Sequence, residues 1–575
     1  VGTGKTTLVE QLLFTGDAIP KAELVGSGKT VSDCAQEEIE KGISVHTSLS
    51  HCTWKDVKIN LLDTPGSSDF VGEVVAALRS AETNLMLIDA TSGVQIETIK
   101  LWRRLDNRNM PRIAFISKMD KERADFTAAL KDLEEKFSSR FVPICIPMGS
   151  ADSYNGLINL IDNKAYQNPE PGKKEKATDI PAEMNDAVEE YRMMLIEAAA
   201  EGDDALMEKY FEDETLTADE IRHGLTEGLK ANKLVPVLCG AAELGSGITS
   251  LANFIVTAAP SPVVSVEKAF SGENETKDVP ISPEGPFSGY VFKTSIDQFS
   301  GKLSYVKIVT GTLTSDTDLY CPRTQNKEKI SKVYTIIGKK LIETSEIPAG
   351  DLGILTKTGE INTNDSLCTP DNVVEYEHLK HPHPVHSIAV SAVSKKDEDK
   401  MNEFLQRAAE EDPTFIINHN QETKETVISG MGELQINMIL DKIKTNQKVE
   451  IQTKVPKVAY RETITKPSDA EYTHKKQTGG HGQFGRVLIK INPLERGKQY
   501  EFENIIKGGS VSKGYIPGIE KGLHEAMEAG VLAKYPVVDV GITLYDGKEH
   551  PVDSSEMAFK MAARGALYAA MEKAG

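Results

Sequence analysis

The chain of 575 residues is too long for one hydrophobic core and, at about 100 to 200 residues per domain, predicts roughly three to five domains. Its 66 basic against 86 acidic residues give a net charge of −20, which excludes a generic polyanion binder driven by counterion release but leaves room for a shape-specific RNA partner touched by local patches. No run approaches the roughly 18 apolar residues of a membrane-spanning helix, no signal peptide is visible, and the 6 cysteines, scattered without C-x-x-C spacing, predict free thiols in a reducing compartment.

The sequence opens inside a motif, Val1-Gly2-Thr3-Gly4-Lys5-Thr6-Thr7, with no Met, and stops at Ala574-Gly575 just after a helix-like run, so a fragment at both ends is expected. Gly4-Lys5-Thr6-Thr7 is the latter part of a G-x-x-x-x-G-K-[ST] loop. Glycines let backbone N–H groups wrap phosphates, Lys5 reaches the β and γ oxygens, and the Thr6 hydroxyl ligates Mg2+. Leu8 to Phe14 reads as the helix whose N-terminus faces the phosphates. Taken alone, the piece is as compatible with a Gly-rich turn and a surface lysine.

Glu38 to Val45 is a charged loop running into a strand, in which Ser44 can offer a hydroxyl to Mg2+ when a γ-phosphate is present. Val57 to Leu62 is a strand-like run ending on an acid, and Thr64, Pro65 and Gly66 then break regular structure. Asp63 is therefore expected at a strand's C-terminal end, holding Mg2+ through water, with the Gly66 N–H sensing the terminal phosphate. Leu85 to Ala90 and Arg112 to Ile116 are further strands, the second ending in Ser117-Lys118-Met119-Asp120. A carboxylate at Asp120 can take both the N1 and N2 hydrogens of guanine, a pairing adenine cannot offer, while the Lys118 stem packs on the ring. Val235 to Cys239 leads into Gly240-Ala241-Ala242, a small-residue loop suited to backbone contact with the guanine O6. Phosphate, metal and base pieces thus occur in the order a P-loop GTPase requires, with GTP or GDP and Mg2+ as the implied ligands.

Asp179 to Asn232 is Glu- and Ala-rich with helical spacing and predicts an inserted, acidic, largely helical subdomain. Pro260-Ser261-Pro262 marks a boundary. From Gly285 to about Asp371, short β-rich runs separated by Gly, Ser, Thr and Asp suggest a closed barrel. After Pro382-His383-Pro384 a strand, a helix, two strands and a helix suggest a small α+β layer. The last domain, from about Ala459, carries His474 to Gly485, where glycines, basic residues and an aromatic suit either an RNA backbone or a flexible hairpin.

Asp63-Thr64-Pro65-Gly66, Gly430-Met431-Gly432-Glu433-Leu434, Gln477-Thr478-Gly479-Gly480 with Gly482-Gln483, Gly514-Tyr515-Ile516-Pro517, Tyr535 to Asp539 and His550 to Lys560 together resemble translation elongation factor G, over the whole chain. The resemblance implies a multidomain α/β protein. A GTP-binding domain (1–284, inserted subdomain about 143–230) is followed by a β-barrel (285–380), an α+β sandwich (381–458) and an α+β domain of ribosomal-protein-S5-like type (459–575, its completeness left open). A fifth domain is expected beyond Gly575.

By the same carry-over, nucleotide contacts fall to Gly2, Thr3, Gly4, Lys5, Thr6, Thr7, Asp63, Thr64, Pro65, Gly66, Ser117, Lys118, Met119, Asp120, Gly240, Ala241 and Ala242. Metal contacts fall to Thr6, Ser44 and Asp63, and catalytic positions to Lys5, Gly66 and Ser67. Gly479, Gly480, His481, Gly482, Gln483 and His550 would form a tip that meets rRNA, tRNA and mRNA in the ribosome's decoding region. A cytoplasmic, membrane-free monomer coupling GTP hydrolysis to translocation or ribosome recycling is implied.

Departures from the family pattern matter as much. Gly2 stands for an aspartate, Ser44 for a threonine, Gln435 for a histidine, and Ser117 for the asparagine of Asn-Lys-x-Asp, which is expected to remove an amide contact to base and P-loop. Ser67 stands where the family has the histidine that orients the attacking water. These changes resemble a divergent paralogue, and they keep open a slow-hydrolysing, GTP-dependent ribosome-binding regulator. A tetracycline-type ribosomal protection factor shares the domain plan, but the Thr478 to Gln483 sequence is closer to elongation factor G.

Overall fold

Asn84–Asp89, Arg112–Ser117, Leu234–Cys239 and Arg140–Pro143 lie side by side in that order as four parallel strands. Arg112–Ser117 and Leu234–Cys239 are buried along their whole length, as strands covered on both faces must be. Helices Lys5–Thr15, Val71–Ser80, Ile96–Asn107, Phe126–Lys136 and Ile248–Ala258 supply the covering residues, among them Leu8, Leu78, Trp102, Leu133 and Leu251. The strand Val57–Asp63 pairs antiparallel with Ser48–Trp54 instead of joining the parallel sheet. Lys55 and Asp56 turn the hairpin with left-handed φ of 48° and 63°, the twist that suits a two-residue connection.

Within 143–230 the expected helices are Asn185–Ala200, Asp204–Asp213 and Ala218–Lys230. Ahead of them stands a four-stranded antiparallel sheet, Cys145–Pro147, Gly156–Asn159, Lys164–Gln167 and Lys176–Thr178, that the sequence did not signal. Its strands are three or four residues long, too short to display an alternation. Helices Asn185–Ala200 and Ala218–Lys230 approach so closely that a Cβ at Gly224 would lie 2.0 Å from the Ala199 carbonyl oxygen.

The barrel-type segment forms an eight-stranded antiparallel sheet centred on Ser288–Asp297 and Gly301–Thr310, with Thr312–Thr314 and Glu346–Pro348 paired separately. Val291, Val306 and Ile308 fill one of its apolar clusters, Tyr290, Phe292 and Ile354 another. His386–Ala392 lies between Glu425–Gly430 and Ile451–Lys454, and helices Glu398–Glu411 and Glu433–Lys442 pack their Met401, Leu405 and Ile436 against Val390 and Ile428.

Residues 1–418 with 426–455 form one compact unit, and 419–425 with 456–575 a second. The second is built on a sheet in the order Ser468–Lys476, Gln483–Pro493, Val540–Lys548, Tyr500–Asn504. Tyr500–Asn504 runs parallel to Val540–Lys548, with the helix Ile516–Ala529 in the crossover and Glu556–Ala574 beside it. The computed structural model describes every residue except 1, 273–274, 298–299, 316, 421 and 478–481. Among the described residues no helix is long and apolar enough to cross a membrane, and all six cysteines are free thiols.

Candidate functional site

Gly2 and Gly4 have φ of 70° and 90°, left-handed values that open the loop ahead of the helix Lys5–Thr15. Leu8 N–H donates to the Gly4 carbonyl at 2.9 Å, so the helix starts at once and its first N–H groups face the loop. Thr6 and Thr7 are buried, and the Thr6 and Ser44 hydroxyl oxygens are 3.3 Å apart. Lys5 lies among the carboxylates of Asp63 and Asp33; burial pushes its ammonium down while the two acids pull it back.

Asp63 is 4% exposed, and neither carboxylate oxygen has a hydrogen-bond partner. Burial pushes its carboxyl up to about 6 against the pull of the nearby Thr6 hydroxyl and the Lys5 ammonium. A buried acid without donors is costly by itself, and becomes favourable when a cation or its water shell arrives. Asp33, which carries no motif, joins the group: burial raises its carboxyl, and the Ser44 and Thr6 hydroxyls and Lys5 lower it. No cluster of three or more His, Cys, Asp or Glu able to hold a metal occurs among the described residues. Two hydroxyls and two carboxylates are instead the all-oxygen, incomplete set that suits Mg2+ completed by water and phosphates.

Thr64 to Gly66 leave regular structure, and Ser67 caps the short turn Ser68–Phe70, its hydroxyl oxygen accepting from Asp69 N–H at 3.4 Å. The Asp69 carboxylate accepts from Leu434 N–H at 3.0 Å, at the start of the helix Glu433–Lys442. Gly432 has no room for a side chain there, since a Cβ would sit 2.2 Å from Asp69 Oδ2. Gln435 is buried and donates to Asp412 and Thr414.

At the end of Arg112–Ser117 the Ser117 hydroxyl donates to the Thr3 carbonyl at 2.8 Å, with the Ile88 carbonyl at 3.2 Å. On the P-loop side the lost amide contact is replaced by this hydroxyl bond to the loop's backbone. Lys118, at a left-handed φ of 62°, pairs with Asp89 at 2.8 Å. Asp120 pairs with Lys121 at 3.1 Å, and Lys121 also with Glu243 at 2.6 Å. Met119 N–H donates to the Gly240 carbonyl at 3.2 Å while its side chain is fully buried, so Met119 shapes the site through its backbone. A Cβ on Gly240 would meet the Ser246 carbonyl oxygen at 2.4 Å, which fixes glycine between the two loops; Ala241 N–H bonds the same oxygen, and Ala242 begins a turn.

In the second unit, Gly482 N–H donates to Asp553 Oδ1 at 3.0 Å, and Phe484 N–H to the Asp553 carbonyl at 2.8 Å. His550 Nδ1 is engaged by the Val552 and Asp553 N–H groups at 3.3 and 3.2 Å, and its half-exposed ring lies 6.0 Å from Phe484. Gln483 pairs with His474 at 3.0 Å. Gly482, Gln483 and His550 therefore meet at one end of the sheet, around an Asp553 that was not singled out; Gly479, Gly480 and His481 lie outside the described residues.

Four family models match in sequence: elongation factor Tu GTP binding domain over 1–261, elongation factor G domain 2 over 286–370, domain III over 381–455 and domain IV over 456–575. The crystal structure of ttk003000868 from Thermus thermophilus is 32% identical, with a TM-score of 0.85 over 100% of this chain and 83% of that one.

Proposed function

The chain belongs to the elongation factor G family, and from that premise we propose that this translational GTPase couples GTP binding and hydrolysis to movement of tRNA and mRNA on the ribosome, or to ribosome recycling, in the cytoplasm and as a monomer. Factors of this family act on the ribosome, and its GTP-binding domain implies a guanine nucleotide. The observation that carries the reading is the orphaned, buried Asp63 beside Lys5, Thr6 and Ser44.

Lys5 and the N–H groups around Gly2, Thr3, Gly4 and Thr7 take the phosphates. Asp63, Thr6, Ser44 and Asp33 would hold Mg2+, which when bound neutralises charge on the phosphate oxygens. Gly66 N–H senses the third phosphate, with Thr64 and Pro65 setting its loop. Lys118 and Asp120 take guanine, helped by the backbone at Ser117, Met119, Gly240, Ala241 and Ala242. Gly482, Gln483 and His550, with the neighbouring residues 479–481, would approach rRNA, tRNA and mRNA. GTP turnover by the protein with and without ribosomes tests this; no stimulation by ribosomes overturns the enzymatic half.

Ser67 favours a second reading, a slow GTP-dependent switch on the ribosome. Its hydroxyl is spent on capping the turn at Asp69, and it has no group long enough to orient water. On that reading Ser67→His raises ribosome-dependent hydrolysis by at least about tenfold. A wild type that already hydrolyses as fast as the variant ends it.

A further inference from the structure

The loop that carries Ser44 is tied down by more than a nucleotide site needs. Glu37, on the helix Gln36–Lys41, accepts from His46 Nε2 at 2.9 Å and pairs with Lys442, at the end of the helix Glu433–Lys442. The other ring nitrogen of His46 lies 3.7 Å from Glu73, which pairs with Lys293 at 2.6 Å and accepts from Thr47 N–H at 2.7 Å. Lys293 also donates to the Thr47 carbonyl at 2.9 Å, and Lys41 reaches Asp441 at 3.5 Å. Glu73 and Lys293 keep 11% and 7% of their side chains exposed, so water screens that pair weakly, while Glu37 is 15% exposed against a Lys442 and His46 that are 29% and 39% exposed. Glu38 fastens the loop's own backbone, accepting from Ala35, Val45 and His46 N–H groups at 3.0 Å each.

We propose that Glu37, His46 and Lys442 form a clasp that fixes the loop bearing Ser44 against the helix Glu433–Lys442, so that this hydroxyl is positioned beside Thr6 by protein contacts before a third phosphate arrives. The proposal rests on the guanine-nucleotide reading of Lys5, Thr6 and Asp63. In a switch whose loop is ordered only by the γ-phosphate, the binding energy of that phosphate is partly consumed in closing the loop. A clasp that closes it beforehand leaves GDP affinity unchanged and strengthens GTP binding by the increase in the closed fraction. The neighbouring Asp69 bond to Leu434 N–H anchors the phosphate-sensing loop to the same helix, so both nucleotide-facing loops share one support. His46 and Lys442 are positioning residues: neither is placed against the nucleotide.

The test is amide hydrogen exchange of residues 35–47 in the full chain, nucleotide-free, with GDP and with a non-hydrolysable GTP analogue, together with Kd for both nucleotides. Wild type is expected to protect Val45, His46 and Thr47 in all three states. Lys442→Ala should protect them only with the GTP analogue, raise the Kd for that analogue about tenfold and leave the GDP Kd within about twofold. Lys442→Arg, which keeps the charge, should restore both readouts. Glu37→Gln added to Lys442→Ala should cost less than the sum of the two changes, because both break the Glu37–Lys442 pair. Protection in wild type that depends on the third phosphate, or a Lys442→Ala variant that weakens GDP and the GTP analogue equally, overturns the clasp. Protection in the nucleotide-free protein still reports on it if neither nucleotide binds, an outcome that would instead remove the proposed function.

Discussion

Two buried carboxylates, one in each compact unit, are solved in opposite ways. Asp63 is 4% exposed with no hydrogen bond to either oxygen, and its carboxyl is pushed up to about 6. Glu462 is 6% exposed, but takes four backbone N–H groups, from Val531 and Leu532 at 2.7 and 2.9 Å and from Ala533 and Tyr535 at 2.7 and 3.1 Å. Burial alone would raise Glu462 as well, yet those donors bring it down to about 2. Satisfied in this way, Glu462 is a structural peg that holds the loop after Ile516–Ala529 in place. An acid that the fold leaves unsatisfied is the candidate of the two for a ligand.

The sharpest way to break this contrast is to neutralise Asp63. Asp63→Asn should lower GTP hydrolysis roughly a thousandfold, the scale on which single electrostatic groups act in phosphoryl transfer. The same change should leave the nucleotide-free protein as stable or more stable, because a cost has been removed. The pH dependence has a definite sign. Asp63 is raised above its unfolded value near ~4, so the folded state holds its proton longer and stability falls as pH climbs from about 4 to about 6, by about 3 kcal/mol. Thermal unfolding followed by Trp54 and Trp102, both in the first unit, reads this directly. A flat profile, or an Asp63→Asn variant that is destabilised without nucleotide, means the acid is structural after all.

Glu462→Ala should do the reverse. Four orphaned N–H groups cost about 3 kcal/mol or more in the second unit, with no direct effect on nucleotide Kd. Glu462 is depressed below its unfolded value, so its contribution is present above about pH 4.3 and is lost as pH falls through about 2. Hydrogen exchange at Val540–Lys548 measures it, since the two tryptophans do not report on that sheet. If GTP hydrolysis falls without any loss of protection, Glu462 belongs to function and the contrast fails.

The two acids also mark what a sequence displays. Gly4, Lys5, Thr6 and Asp63 stood out as candidates because local chemistry requires those types next to a turn, and the parallel strands were legible because strands buried on both faces read as apolar runs. Asp33 was invisible: the Thr6 and Ser44 hydroxyls beside its carboxyl are brought to it from elsewhere in the chain. Glu462, between Arg461 and Thr463, gave no sign of the turn at 531–535 that it caps. The sheet of 145–178 hid in strands too short for any period. Asp553 lay inside a tip loop that was noticed, yet its grip on Gly482 depends on two loops meeting. Apart from the sheet of 145–178, whose strands pair with their neighbours in sequence, what could not be read is a contact distant in sequence.

Ser117 offers the smallest and most discriminating test. A serine in place of the family's asparagine was expected to remove an amide contact to base and P-loop, and on the P-loop side its hydroxyl donates to the Thr3 carbonyl at 2.8 Å. That bond joins the end of Arg112–Ser117 directly to the loop ahead of the helix Lys5–Thr15. Ser117→Ala removes one neutral hydrogen bond and leaves a backbone carbonyl short of a donor, a loss of about 1 kcal/mol. GTP and GDP Kd should therefore rise together, by roughly fivefold. This is the opposite pattern from Lys442→Ala, which should separate the two nucleotides. Equilibrium titration with a fluorescent analogue of each decides it: an effect on GTP alone would place Ser117 with the proposed third-phosphate site around Asp63, and no effect would mean that the P-loop keeps its shape without this bond.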